Sequence, residues 1–163
     1  MKTLLTGCLL ALLTGCTTLR TNVRPDQIPD FSRVLVVSRL DNVRPDYVHE
    51  YVKAFPPAYQ VCTLTANKLS FGDPEEAIRR QAESCRSEVI LTLELSRTDV
   101  QGNGRYSRTV NDYYAHMRAV NAAEPFWKGL IVNPYASNPR NRDYIDPLPV
   151  VNRLKKDGIL RAN

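Results

Sequence analysis

The chain has 163 residues, 43% of them hydrophobic and 24% charged, with a formal net charge of +5. That much apolar content with so small a net charge excludes an intrinsically disordered chain, and seven glycines against eleven prolines exclude a Gly-rich fibre or flexible linker. The length suits one domain, which buries about two thirds of its unfolded surface, so neither a metal nor a disulfide framework is needed to hold it.

Residues 1–16 read MKTLLTGCLLALLTGC. One cation, Lys2, precedes a run of Leu, Ala, Thr and Gly, the layout of a secretory signal peptide. As a helix, residues 3–15 would span about 20 Å, short of the ~30 Å hydrocarbon core of a bilayer. No later stretch approaches eighteen apolar residues. The run closes on Leu13-Thr14-Gly15-Cys16, which resembles the lipobox of bacterial lipoproteins. That resemblance implies diacylglyceryl transfer to the Cys16 thiol and cleavage before Cys16, with the small residues Thr14 and Gly15 fitting the peptidase. A duplicate, Leu5-Thr6-Gly7-Cys8, lies too near the start to leave a hydrophobic region before it and reads as part of the apolar run. Thr17, where an Asp would favour the inner membrane, implies the outer membrane and its periplasmic face. Two or more acyl chains anchor a domain stably without a spanning helix. The expected organisation is therefore a signal peptide at 1–15, a lipidated cysteine and tether at 16–30, and a globular domain at 31–163.

The tether expectation rests on residues 17–30, TTLRTNVRPDQIPD, which hold two prolines and no periodicity. After it, Arg33–Arg39 is a β-branched apolar run, the mark of a buried strand. Pro45 opens a helix to Phe55 with Tyr47, Val48, Tyr51, Val52 and Phe55 on one face, and Pro56-Pro57 stops it. A second strand is expected at Tyr59–Thr65. Asp73-Pro74-Glu75-Glu76 is a helix start, with Asp at the cap, Pro in the first turn and acids at the positive dipole end. That helix runs to Cys85.

Val89–Arg97 alternates, with Val89, Leu91, Leu93 and Leu95 on one face and Thr92, Glu94 and Ser96 on the other. Gln101-Gly102-Asn103-Gly104 reads as a hairpin turn into a long strand, Arg105–Val120, and a turn at Asn121–Pro125 leads to a last strand, Phe126–Asn133. Pro134–Tyr144 is an exposed loop. Asp146-Pro147 caps a final helix through Lys156, closed by Gly158. The order β-α-β-α-β-β-β-α gives a single α/β (α+β) domain with a five-stranded mixed sheet, helices packed on it and strand order 2-1-3-4-5. Right-handed crossovers put the first two helices on opposite faces, and the alternation in Val89–Arg97 implies that one sheet face is less completely covered. The layout resembles small α/β domains of envelope lipoproteins such as the penicillin-binding-protein activators, the curli-secretion lipoprotein and the amino-terminal domain of TolB. No functional residue carries over from so general a likeness.

Catalytic patterns are scarce. The chain has no G-x-S-x-G, H-E-x-x-H or P-loop motif. His49 reads as a surface residue beside a helix stripe. His116 shares a strand face with Asp112 and Arg118, too few convergent ligands for a metal. No cofactor is expected. Cys62 and Cys85 are either a structural disulfide of an oxidising compartment or two buried thiols too far apart to bridge. Sixteen arginines against six lysines suit phosphate or carboxylate contacts, or simply a solvated surface, and no basic run or motif suggests nucleic acid. In the Pro134–Tyr144 loop, Tyr135, Arg140, Arg142 and Tyr144 are candidate docking residues, since Tyr and Arg dominate interface hot spots. The resulting expectation is a non-catalytic, lipid-anchored envelope protein that binds a protein partner or cell-wall polymer. Two alternatives remain: a carrier for a small amphiphile, and a hydrolase using Asp112, His116 or Glu94.

Overall fold

The fold is a computed structural model, which describes residues 18–41, 43–44, 46–68, 70–102, 108–133 and 143–161. Its strands are β1 (Thr18–Val23), β2 (Arg33–Ser38), β3 (Gln60–Thr65), β4 (Val89–Gln101), β5 (Arg108–Ala119) and β6 (Trp127–Asn133). Its helices are α1 (His49–Ala54), α2 (Pro74–Ser84) and α3 (Pro147–Lys156), with a short 3-10 turn at Pro25–Gln27. All six strands join one sheet in the order β1-β6-β5-β4-β2-β3. β2 pairs in parallel with β3 and β4, and the remaining pairs are antiparallel.

β2 is an interior strand, between β4 and β3, because every residue from Val34 to Val37 is apolar and each face can be covered. Val34 and Val36 enter the larger core with Leu91, Leu93, Tyr113 and Met117, under α1 and α3. Leu35 and Val37 enter a smaller core with Ile90 and with Ile78 and Ala82 of α2. The first two helices thus lie on opposite faces, and the five expected strands stand in the expected order.

The sixth strand corrects the tether. Thr18–Val23 is not a linker but β1, antiparallel to β6, with Leu19 and Val23 packed against the larger core. Thr21 lies on the same face, where its hydroxyl accepts a hydrogen bond from Arg153 of α3. Arg20 and Asn22 alternate outward, so the strand buries too few apolar side chains to stand out as a run. The chain beyond β1 is also tied down, with the Arg24 amide donating to the Phe126 carbonyl at 2.8 Å.

Local signals set the helix ends. Asp73 accepts from the Glu75 amide at 2.9 Å and Asp146 from the Leu148 amide at 3.0 Å, each an N-cap followed by Pro. Gly158, at φ +75°, closes α3 in the left-handed region. The first helix is shorter than expected, because Asp46–Val48 forms turns that bond three residues back before α1 begins at His49. Val52 points outward at 43% exposure, while Tyr47, Val48, Tyr51 and Phe55 are buried. β4 extends past Arg97 to Gln101, with a shift in register between Leu95 and Arg97; Leu95, paired opposite the buried Tyr113, is 43% exposed rather than enclosed in the core. The expected strand start at 105–107 and positions 103 and 104 of the expected turn lie outside the described residues, while Gln101 ends β4.

Candidate functional site

Helix cover is complete on only one side of the sheet. α2 packs over β2, and on that side no described helix lies over β5, β6 or β1. The strand registers array the uncovered side chains in two rows. One row runs Thr92, His116, Lys128, Asn22, and the other runs Glu94, Tyr114, Leu130, Arg20, across β4, β5, β6 and β1. Glu94, Tyr114, His116 and Lys128 of these rows, with Arg118 further along β5, Glu75 from the first turn of α2 and Ala123 and Pro125 from the β5–β6 turn, border an open cleft of about 700 Å³. A second hollow of about 330 Å³, beside Arg39 and Lys68, meets it at Glu94.

The charged groups are held in place. Arg118 donates from Nη1 to the carbonyls of Val120 and Ala122, each at 3.1 Å, and its Nη2 lies 3.9 Å from Glu75 Oε2. Glu75 also pairs with Arg39, so the first turn of α2 is bound to the sheet by a shared carboxylate. His116 Nδ1 stands 3.6 Å from Glu94 Oε1, beyond hydrogen-bond distance and an ion pair only when the imidazole is protonated. Burial holds the His116 imidazole below its ordinary value; Glu94 opposes that shift, while Arg39, Arg118 and Lys128 reinforce it. The imidazole is therefore neutral near pH 7. Tyr114 presents its ring at 44% exposure between these groups. The face thus offers a fixed guanidinium, a lysine, a neutral imidazole, a carboxylate and one aromatic surface, a set suited to a polar, extended ligand.

Asp112 shares this face but sits further along β5, 3.6 Å from Arg97. His49 is exposed on α1. Cys62 on β3 and Cys85 at the end of α2 are joined by a disulfide with Cα atoms 6.4 Å apart, which ties α2 to the sheet. Tyr144 is partly buried and makes contacts within the chain. Its hydroxyl donates to Glu50 Oε2 at 2.8 Å and its ring meets Tyr47 edge-on, because α1 comes back across the end of that loop. Cys16, Tyr135, Arg140 and Arg142 lie outside the described residues. Sequence reasoning missed Lys128 and Glu75: the first is placed by cross-strand register, and the second was explained fully by its capping position.

Among the described residues no group of three or more His, Cys, Asp or Glu side chains is placed to hold a metal ion. Nor is any described helix long and apolar enough to cross a membrane.

No protein-family model and no curated protein matches the chain. Among solved structures it is similar to the PelC dodecamer of Paraburkholderia phytofirmans, at 13% identity and a TM-score of 0.44, over 72% of this chain and 81% of that one. It is also similar to lipoprotein GNA1162 of Neisseria meningitidis, at 12% identity and a TM-score of 0.37, over 78% of this chain and 95% of that one. Neither likeness is close enough to assign a family or a function.

Proposed function

We propose that the chain is a non-catalytic, lipid-anchored envelope protein that binds a protein partner or a cell-wall polymer on the periplasmic side of the outer membrane. The observation that carries this reading is the uneven cover of the sheet, which leaves the rows around His116 and Tyr114 open beside a cleft of about 700 Å³. Arg118 and Glu75 on that face are held by carbonyl contacts and ion pairs before any ligand arrives, which lowers the ordering cost of binding. The lipobox at Leu13–Cys16 supports the anchor. One observation favours a second, hydrolytic reading of the same face: a neutral imidazole beside a carboxylate is the form that a general base requires.

Two measurements test the proposal. Cys16→Ser should move the chain to the soluble periplasmic fraction or leave an unprocessed precursor, and unchanged fractionation with unchanged intact mass would refute the anchor. A photocrosslinker placed at Lys128 or Tyr114 should capture one stoichiometric partner in intact envelopes, whereas one at Glu83, exposed on α2, should not. Equal capture at all three positions would refute the open face as the docking surface. Turnover of a cell-wall polymer that His116→Gln abolishes while capture persists would establish the second reading instead.

A further inference from the structure

β1 begins at Thr18, two residues beyond Cys16, and Thr18 is already paired with Val132 of β6. Two residues reach at most about 7 Å. The register continues from Val132 to Asp112 and Arg97, so this end of β1 lies level with the outer part of the β4–β5 hairpin. β2 and β3 also terminate toward that end, at Ser38 and Thr65. The opposite end holds Val23, Trp127 and, through the bond from Trp127 Nε1 to Asp157, the last turn of α3. The first turn of α3 therefore points to the Thr18 end.

Segments at the Thr18 end carry the most exposed apolar side chains of the described residues. Phe71, between β3 and α2, is fully exposed, Val100 in the hairpin arm is 69% exposed, and Leu148 in the first turn of α3 is 57% exposed. The acids among them are engaged: Asp41 with Lys68, Asp99 with Arg97, and Asp73 and Asp146 with amides of their own helices. Three apolar side chains from separate segments thus lie toward the end from which the chain leads to Cys16.

We infer that this end of the sheet rests on the bilayer that holds the acyl chains of Cys16, with Phe71, Val100 and Leu148 entering the headgroup layer. The inference rests on the acylation of Cys16 proposed above. An arm of two residues allows no free tumbling, and these apolar side chains select the contact made. The strands then stand upright on the membrane, and the face of Tyr114, His116 and Lys128 is turned sideways, toward neighbours in the periplasm rather than toward lipid.

The test uses the acylated chain in phosphatidylethanolamine–phosphatidylglycerol vesicles. Phe71→Cys, Val100→Cys and, at the opposite end, Glu124→Cys are each labelled with an environment-sensitive fluorophore, the bridged Cys62 and Cys85 remaining unreactive. Quenching by spin-labelled lipid should be several-fold stronger at 71 and 100 than at 124. Equal quenching in a chain that cosediments with vesicles would overturn the orientation while leaving the anchor intact. A chain that carries no acyl mass and fails to cosediment would overturn both. Labels at 71 and 100 shielded from aqueous iodide yet untouched by the lipid quencher would show that a second copy covers this end, and would also overturn the inference.

Discussion

Gly129 lies on β6 between Thr21 of β1 and Ala115 of β5, and adding one methyl group there tests whether β1 is packed as described. A Cβ at this position would stand 2.8 Å from Trp127 Cη2 and 3.0 Å from Leu19 Cδ1, inside ordinary contact. Trp127 cannot swing away easily, since it is fully buried and its Nε1–H donates to Asp157 Oδ2 at 2.8 Å. Overpacking of this kind costs about 1–3 kcal/mol, and the entropy that alanine removes from the unfolded chain returns about 0.4–1 kcal/mol. Gly129→Ala should therefore lose about 1–2 kcal/mol, or roughly 2–8 °C in melting temperature for a domain of this size. Thermal unfolding followed by near-ultraviolet circular dichroism reads both stability and the packing of Trp127, the chain's single tryptophan. A variant that melts higher, as alanine does in an open strand, would refute the closure of Leu19 and Trp127 over Gly129, and with it the docking of β1.

Reduction of the Cys62–Cys85 bridge, which spans 23 residues, should remove about 3 kcal/mol and lower the urea midpoint. In a chain carrying Cys8→Ser and Cys16→Ser, two thiols that react in denaturant without reductant would refute the bridge. Burial keeps the folded His116 imidazole below its ordinary value of 6.5, so the unfolded chain takes up a proton that the folded chain refuses. Stability should fall as the pH drops below about 6.5, until the folded imidazole itself protonates. His116→Gln should flatten that slope, and identical slopes in the two chains would count against the buried neutral imidazole. Asp157→Ala leaves the Trp127 Nε1–H buried without its acceptor and should cost about 1–3 kcal/mol by urea unfolding; an unchanged midpoint would refute that bond.

Features whose cause is local were legible in the sequence. The run from Val34 to Val37 marks a buried strand by itself, and the Asp-Pro pairs at 73–74 and 146–147 carry their own capping chemistry. β1 was not legible. Leu19 and Val23 are its main apolar contribution, and what fixes it is a strand more than a hundred residues away, so Pro25 and Pro29 dominated the local reading. Leu95 fits the alternation of Val89–Arg97 and stands opposite Tyr113, yet it is 43% exposed, because alternation marks a face and not where the cover over it ends. Tyr144 looked like the end of a free loop because its partners, Tyr47 and Glu50, come from α1. For the candidate site, alternation along β5 placed His116, Arg118 and Asp112 on one face, but their separation into two clusters depends on Glu75, Glu94 and Arg97.

The position of β1 also dictates an order of assembly. Among the described residues it is the first strand and its only partner is β6, the last, so Thr18 pairs only once Val132 has joined a sheet built by the strands between them. Closing so long a loop has a high entropic cost, and pairings between distant segments form late. Thr18–Val23 therefore stays unpaired while β2, β3, β4 and β5 assemble. On the proposal that Cys16 is acylated, the enzymes that modify it meet a chain whose next strand is still open rather than a folded edge. Once β6 is in place, Thr18–Val23 zips down beside it, and on the same proposal the sheet is drawn up to the lipid.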